Sequence, residues 1–234
     1  YYRYQELPEH IPHRQQDAAA AAAAKLERFI QEVHRSVTAA TRSRDVTAKG
    51  LSPGYKFELE RLLLIAPAIT EALALDADGI VQARASRLLA VRPEGQRDFS
   101  TSLAFQQARQ GQTHFGSAHF VRDTEPYMTI AVPIEHLAGE VVGVLLAEVS
   151  LIYVGENVVS PLADGETGYV YVVSRAGDLL AHPQVNLVLQ RRNVTHLGQV
   201  GVALSSAAAG NSSKGTLTRN LQGERVFSSY AAIA

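Results

Sequence analysis

Two stretches of this chain hold ionisable side chains that could do chemistry. In Gly143-Val-Leu-Leu-Ala-Glu-Val-Ser-Leu151, strand alternation puts Glu148 on one face with Val144 and Leu146. A carboxylate on an apolar face is not freely solvated. It pairs with a ligand cation or, in the plainer reading, with an arginine of the chain or with solvent. Arg122, Asp123 and Tyr127 flank a polar loop ahead of a strand around Met128. Arg122 there would select an anionic ligand, and exposed loop charge is the competing explanation. Phe105, Phe120 and Tyr127 would wall a pocket, or else belong to a core.

Other constellations carry less. His10 with His13, and His114 with His119, have no third ligand at matching spacing, whereas zinc usually takes three or four. The sequence calls for no metal and no cofactor. Gly165 and Gly168 precede a strand with no Lys-Ser/Thr after them, so they are not a phosphate loop. No Gly-x-Ser-x-Gly elbow occurs. Asp164 and Glu166 lie in a turn where solvation is the default, and His182 before Pro183 reads as a strand end.

Composition narrows the class. The 234 residues are 46% apolar and 19% charged, an ordinary globular balance with room for one large domain or two small ones. A net charge of −1 and a lone Arg191-Arg192 pair give no nucleic-acid footprint. Without cysteine there is no disulfide, thiolate metal site or thiol nucleophile. No run of 18 apolar residues and no signal-peptide pattern occurs, and the start at Tyr1 is expected of a segment of a longer chain.

The elements that must position these residues are legible in outline. Pro12 and seven alanines, Ala18 to Ala24, open a long helix. Its apolar seam Leu26, Ile30, Val33, Val37 and Ala40 either packs within its own domain or pairs with a twin helix in a homodimer. A helix is expected over 55–65, then a hairpin of 69–76 and 80–85 turning at Asp78-Gly79. A helix over 100–109 ends before Gly111, and strands follow around 119–121, 128–133 and 141–149. After a connector, 151–160, comes a hairpin within Gly165–Pro183: strand 169–173, a turn at 174–178 with Gly177, and strand 179–181. A helix over 199–209 and strands at 216–219 and 225–230 complete the order. The two hairpins stand about 100 residues apart, each followed by a helix and more strands, like one α+β module used twice.

Three segments carry a family resemblance. Ala131-Val-Pro-Ile134 with the following Gly139–Leu151, the hairpin Gly165–Pro183, and Asp98-Phe-Ser-Thr-Ser-Leu-Ala-Phe-Gln-Gln-Ala108 together resemble the double Cache family. These are extracytoplasmic sensor domains of bacterial transmembrane receptors, and the likeness is strongest to those of sensor histidine kinases. It implies an α+β fold: a long N-terminal helix (1–50), a membrane-distal PAS-like antiparallel module that binds ligand (51–150), and a membrane-proximal one (151–234). It also implies the periplasmic part of an inner-membrane protein, tethered to the membrane at full length, with no catalysis in this segment.

The resemblance also proposes a site. Asp98 opens the segment where amino-acid-binding members carry an arginine and aromatics. Here Ser102 stands in place of the arginine, Ala104 replaces the first aromatic, and Phe105 remains. Loss of a guanidinium removes the bidentate grip on a ligand carboxylate. Glu148 aligns with the family's ammonium-binding aspartate. The expected ligand site is therefore Asp98, Ser102, Phe105, Phe120, Arg122, Asp123, Tyr127 and Glu148, taking a small organic acid or amine. The alternatives are a chemotaxis-receptor or cyclic-dinucleotide-cyclase sensor, a stand-alone hydrolase or transferase with a cryptic site, or a dimerisation scaffold without ligand.

Overall fold

The computed structural model describes residues 10–48, 50–87, 98–121, 125–136, 139–162, 168–207 and 216–233. It divides into two compact units. One comprises Ile30–Leu151, and the other joins the chain up to Phe29 to Ile152 onward.

Helix α1 (His10–Ala40) contributes to both units. Its alanine run supplies propensity, and its seam supplies burial. Leu26, Val33, Val37 and Ala40 are buried within the single chain, and Ile30 is half-buried. In the Ile30–Leu151 unit the short strands β1 (Val46–Thr47) and β2 (Gly50–Leu51) pair with each other. Helix α2 (Tyr55–Ile65) follows with the bounds its pattern predicts, burying Tyr55, Leu59, Leu62 and Leu63. The Tyr55 hydroxyl donates to the Ala40 carbonyl at 3.0 Å, tying α2 to the end of α1.

Strands β3 (Ile69–Asp76) and β4 (Val81–Ser86) form the first hairpin. Gly79 sits at φ +87° in its turn, where a Cβ would lie 2.7 Å from the Ser100 nitrogen. Asp-Gly at this place was legible for that reason: only glycine takes the conformation without strain. Helix α3 (Leu103–Arg109), strands β5 (His114–Phe115) and β6 (His119–Val121), and the long pair β7 (Glu125–His136) and β8 (Glu140–Ser150) complete the unit. All strand pairs are antiparallel, in the order β4-β3-β8-β7-β5, with β6 also on β7. Pro133 lies in β7 beyond the residues that pair with β5, so its missing N–H deprives no described strand of a partner.

One face of this sheet is apolar throughout its middle. Ala72, Ala74, Ile130, Val132, Ile134, Leu145 and Ala147 are all buried there, and α2 lies against β3 and β4. The other face is divided. Leu73, Leu75, Ala131, Val144 and Leu146 form an apolar cluster with Phe105 and Ala108 of α3.

The second unit continues with a helical connector: α4 (Leu151–Val154), a π-helical turn (Gly155–Val159) and a 3₁₀ turn (Ser160–Leu162). Strands β9 (Val172–Val173) and β10 (Leu179–Ala181) form the expected second hairpin, shorter than its sequence suggests. Gly177 turns it at φ +85°, against the Thr195 side chain. Helices α5 (Val185–Leu189) and α6 (Gly198–Ala207) and the antiparallel pair β11 (Thr216–Arg219) and β12 (Arg225–Ser228) follow. The core here is Leu179, Val188, Val194, Leu197 and Val200. A long N-terminal helix with antiparallel modules is the α+β fold expected from the sequence.

Candidate functional site

The divided face of the six-stranded sheet carries the candidate site, and register builds it. Glu148 of β8 stands opposite Glu71 of β3 on one side and Thr129 of β7 on the other. Two pairs along, on the same face, Tyr127 lies opposite Ser150, and on its other side opposite His119 of β6. By the period of two, Leu146 and Val144 share the face of Glu148, but they lie under α3 whereas Glu148 lies past the apolar cluster. The face therefore changes from apolar to polar between Leu146 and Glu148.

The polar end is tightly bonded with one exception. Arg84 Nε donates to Glu71 Oε1 at 2.7 Å, and its second guanidinium nitrogen reaches the same oxygen, so this buried carboxylate holds its cation inside the chain. Thr129 Oγ1 donates to Glu148 Oε1 at 2.8 Å. The other Glu148 oxygen, Oε2, is buried and has no hydrogen-bond partner of good geometry among the described residues. His119 Nε2 lies 3.4 Å from it, an ion-pair distance. The Glu148 carboxylate raises the His119 imidazole above its ordinary value, and partial burial opposes that shift. The Tyr127 hydroxyl donates to Glu125 Oε2. Burial first, and then the Glu125 carboxylate, push the Tyr127 phenol well above the usual range, so it is neutral and a donor.

Only part of the expected set converges here. Tyr127 and Glu148 meet on this face, with Phe105 buried beneath its apolar half. Phe105 is thus a core side chain, held by the apolar cluster. Ser102 works on the backbone: its Oγ accepts the Phe105 N–H at 3.2 Å and caps α3. Asp98 is exposed, and its Oδ1 accepts the Ser100 N–H at 2.8 Å in the turn leading to that cap. The hydrogen bonds from Ser100 hold its carboxyl below the ordinary value. Phe120 pairs with Pro126, and alternation turns it to the face opposite His119 and Tyr127. Arg122 and Asp123 lie outside the described residues.

Four residues that complete the polar end were not singled out as ligand contacts from sequence: His119, Thr129, Glu71 and Arg84. Thr129 was accessible, being two residues from Tyr127 on one strand. Glu71 also had a signal, as the one charged residue ahead of the apolar run Ala72–Leu75 in its strand. Arg84 had none, because its place depends on the hairpin register.

The face can hold a cation. It offers a carboxylate with one oxygen fixed by a threonine and the other paired only with the partly exposed His119, and its arginine is already engaged by Glu71. Among the described residues, no group of three metal-ligating side chains occurs and no helix is long and apolar enough to cross a membrane.

Known proteins agree with this architecture. No curated protein matches the sequence. The extracellular domain of rpHK1S-Z16, a candidate histidine kinase, is similar with a TM-score of 0.68 at 17% identity, covering 95% of this chain and 89% of the other. The ligand-binding domain of the Campylobacter jejuni chemoreceptor Tlp3, solved with L-valine, gives 0.63 at 14% identity over 93% and 86%. That of the Pseudomonas fluorescens chemoreceptor CtaA, solved with L-serine, gives 0.56 at 20% identity over 78% and 77%. The family model described as Cache domain matches residues 5–234. The chain therefore belongs to the Cache domain family, in its double form, and is a ligand-binding sensor module, not a catalyst.

Proposed function

We propose that residues 51–150 are the membrane-distal, ligand-binding module of an extracytoplasmic sensor, and that its ligand is a small amine held by Glu148. Residues 151–234 are the membrane-proximal module of the same receptor. One observation carries the choice of ligand: a half-buried carboxylate with one oxygen satisfied by Thr129 and the other, itself buried, paired only with the imidazole of His119 at 3.4 Å. His119 holds that oxygen only when its imidazole carries a proton, whereas an ammonium group supplies a permanent charge and directed N–H donors. An organic acid would meet Glu148 and Glu125 with Arg84 already engaged by Glu71, so the amine is favoured over the acid.

Signalling follows from differential affinity: the amine favours one packing of the sheet, and a ligand that bound both packings equally would signal nothing. A route from the sheet to α1 is in place. Strand β5 pairs with β7, and His34 of α1 contacts Thr113 at 3.3 Å and the Phe115 ring at 5.3 Å between centroids. The output we favour is a sensor histidine kinase in the inner membrane, with the sensor in the periplasm. This is supported by the long coverage of the rpHK1S-Z16 domain. A chemotaxis receptor is the alternative, supported by the Tlp3 and CtaA domains.

Calorimetric titration of this chain with primary amines and with matched carboxylic acids tests the reading. Saturable binding of an amine, lost in Glu148→Gln, supports it. Binding of acids alone contradicts it. Reading the gene beyond this segment decides the output.

A further inference from the structure

The row of side chains that crosses the sheet at Glu148 holds a second carboxylate. Glu71 of β3 stands directly opposite Glu148 of β8, at the Cα spacing of about 5 Å that antiparallel partners keep. Directly opposite side chains share a face, so two carboxylates are neighbours at the polar end of this sheet. Like charges in that arrangement are destabilising. Glu71 is 6% exposed, so water does little to screen it.

Arg84 resolves the conflict. It lies on β4 opposite Leu73, two residues along from Glu71 and on the same face. Its Nε donates to Glu71 Oε1 at 2.7 Å, and a second guanidinium nitrogen reaches the same oxygen. Strand β3 separates β4 from β8, which sets Arg84 two strand spacings, about 10 Å, from the strand of Glu148. A buried ion pair is a weak source of net stability, because desolvation offsets its attraction. Its consequence here falls on the neighbouring charge. With Arg84 held by Glu71, the cation that Glu148 meets among the described residues is the partly exposed His119.

We propose that Glu71 is a positioning residue that sets the charge selectivity of the amine site: it holds the Arg84 guanidinium on its own carboxylate, so that Glu148 meets a guest with no arginine of its own. This rests on the reading of Glu148 as the ammonium-binding group. Neither Glu71 nor Arg84 has to touch the guest.

Two single variants and their combination test it, each read by amine calorimetry and by titration of the His119 imidazole in ¹⁵N-histidine NMR. Glu71→Gln leaves the Arg84 charge uncompensated beside Glu148. Amine affinity should then fall roughly tenfold, the effect of one unit charge about 10 Å away at an effective dielectric near 20. The same charge opposes protonation of His119, which should titrate at lower pH than in the unaltered chain. Arg84→Gln leaves Glu71 as a second uncompensated carboxylate, so His119 should titrate at higher pH and amine affinity should not fall. The double variant Glu71→Gln with Arg84→Gln removes both charges and should return both readouts to those of the unaltered chain. A merely structural pair would weaken binding in all three variants and would not move His119 in opposite directions. The proposal is overturned if Glu71→Gln leaves the His119 titration unmoved, or if the double variant fails to restore it. Should Glu71→Gln not fold, Arg84→Gln compared with the double variant decides the matter, and equal His119 titration in those two overturns the proposal. The His119 readout needs no ligand, so it tests the role of Glu71 even where no amine binds the unaltered chain, a result that would instead contradict the ligand reading.

Discussion

At the scale of single residues, the account rests on Glu148 and on what competes for it. Charged hydrogen bonds contribute about 1.5–3 kcal/mol, so Glu148→Gln is expected to weaken amine binding roughly 10- to 150-fold, measured by calorimetry. His119 competes for the same oxygen. Its imidazole is raised above the ordinary 6.5, so the His119–Glu148 pair is fully present below that value. The pair is lost as pH rises through the higher folded-state value. Because His119 is 43% exposed, the effect on stability is small. Its effect on binding is larger in kind: an ammonium that takes Glu148 displaces the His119 proton, so amine affinity is expected to rise with pH across that window. His119→Gln should flatten the profile, and a wild-type profile that falls with pH would contradict the competition. Glu148 was legible because alternation alone sets it beside Val144 and Leu146. The surroundings of its two oxygens were not, since they depend on Thr129 and His119 from two other strands.

Among the elements, the turns were the most legible parts and the short pieces the least. Asp78-Gly79 and Gly177 announce positive φ locally, and both hairpins turn there. Helix α2 was legible because its apolar residues recur with helical spacing between Gly54 and Ala66. Strand β5, helix α5 and the helical connector 151–162 carry no such local signal, and tertiary packing decides them. Ser102 is the instructive case. The family resemblance implies an arginine's position in a ligand site for it, but its hydroxyl is engaged in starting α3. Ser102→Ala should cost about 1 kcal/mol and lower Tm by roughly 2–4 °C, read by thermal denaturation. Gly143 shows the opposite constraint, imposed by close approach: a Cβ there would lie 2.3 Å from the Leu75 carbonyl oxygen. Gly143→Ala should therefore destabilise the sheet by about 1–3 kcal/mol in denaturant titration, although its φ is not left-handed.

For the whole molecule, the fold class was legible from the order of elements, because two hairpins about 100 residues apart each precede a helix and further strands. The sidedness of the site was not. Phe120 looked like a wall of the same pocket as Tyr127, yet the β6–β7 register sets the two on opposite faces, a fact that no local pattern encodes. The seam of α1 invited a dimer reading, and in this fold Leu26, Val33, Val37 and Ala40 are already buried by the chain's own residues. If the distal module holds an amine, its ligand at 100 times Kd should add roughly 2.7 kcal/mol to the stability of the chain. The most direct test of the central claim is calorimetry of unaltered and Glu148→Gln protein with the same primary amine at one pH above 7. The account predicts saturable binding to the first and at least tenfold weaker binding to the second. Equal affinity for both proteins would contradict it.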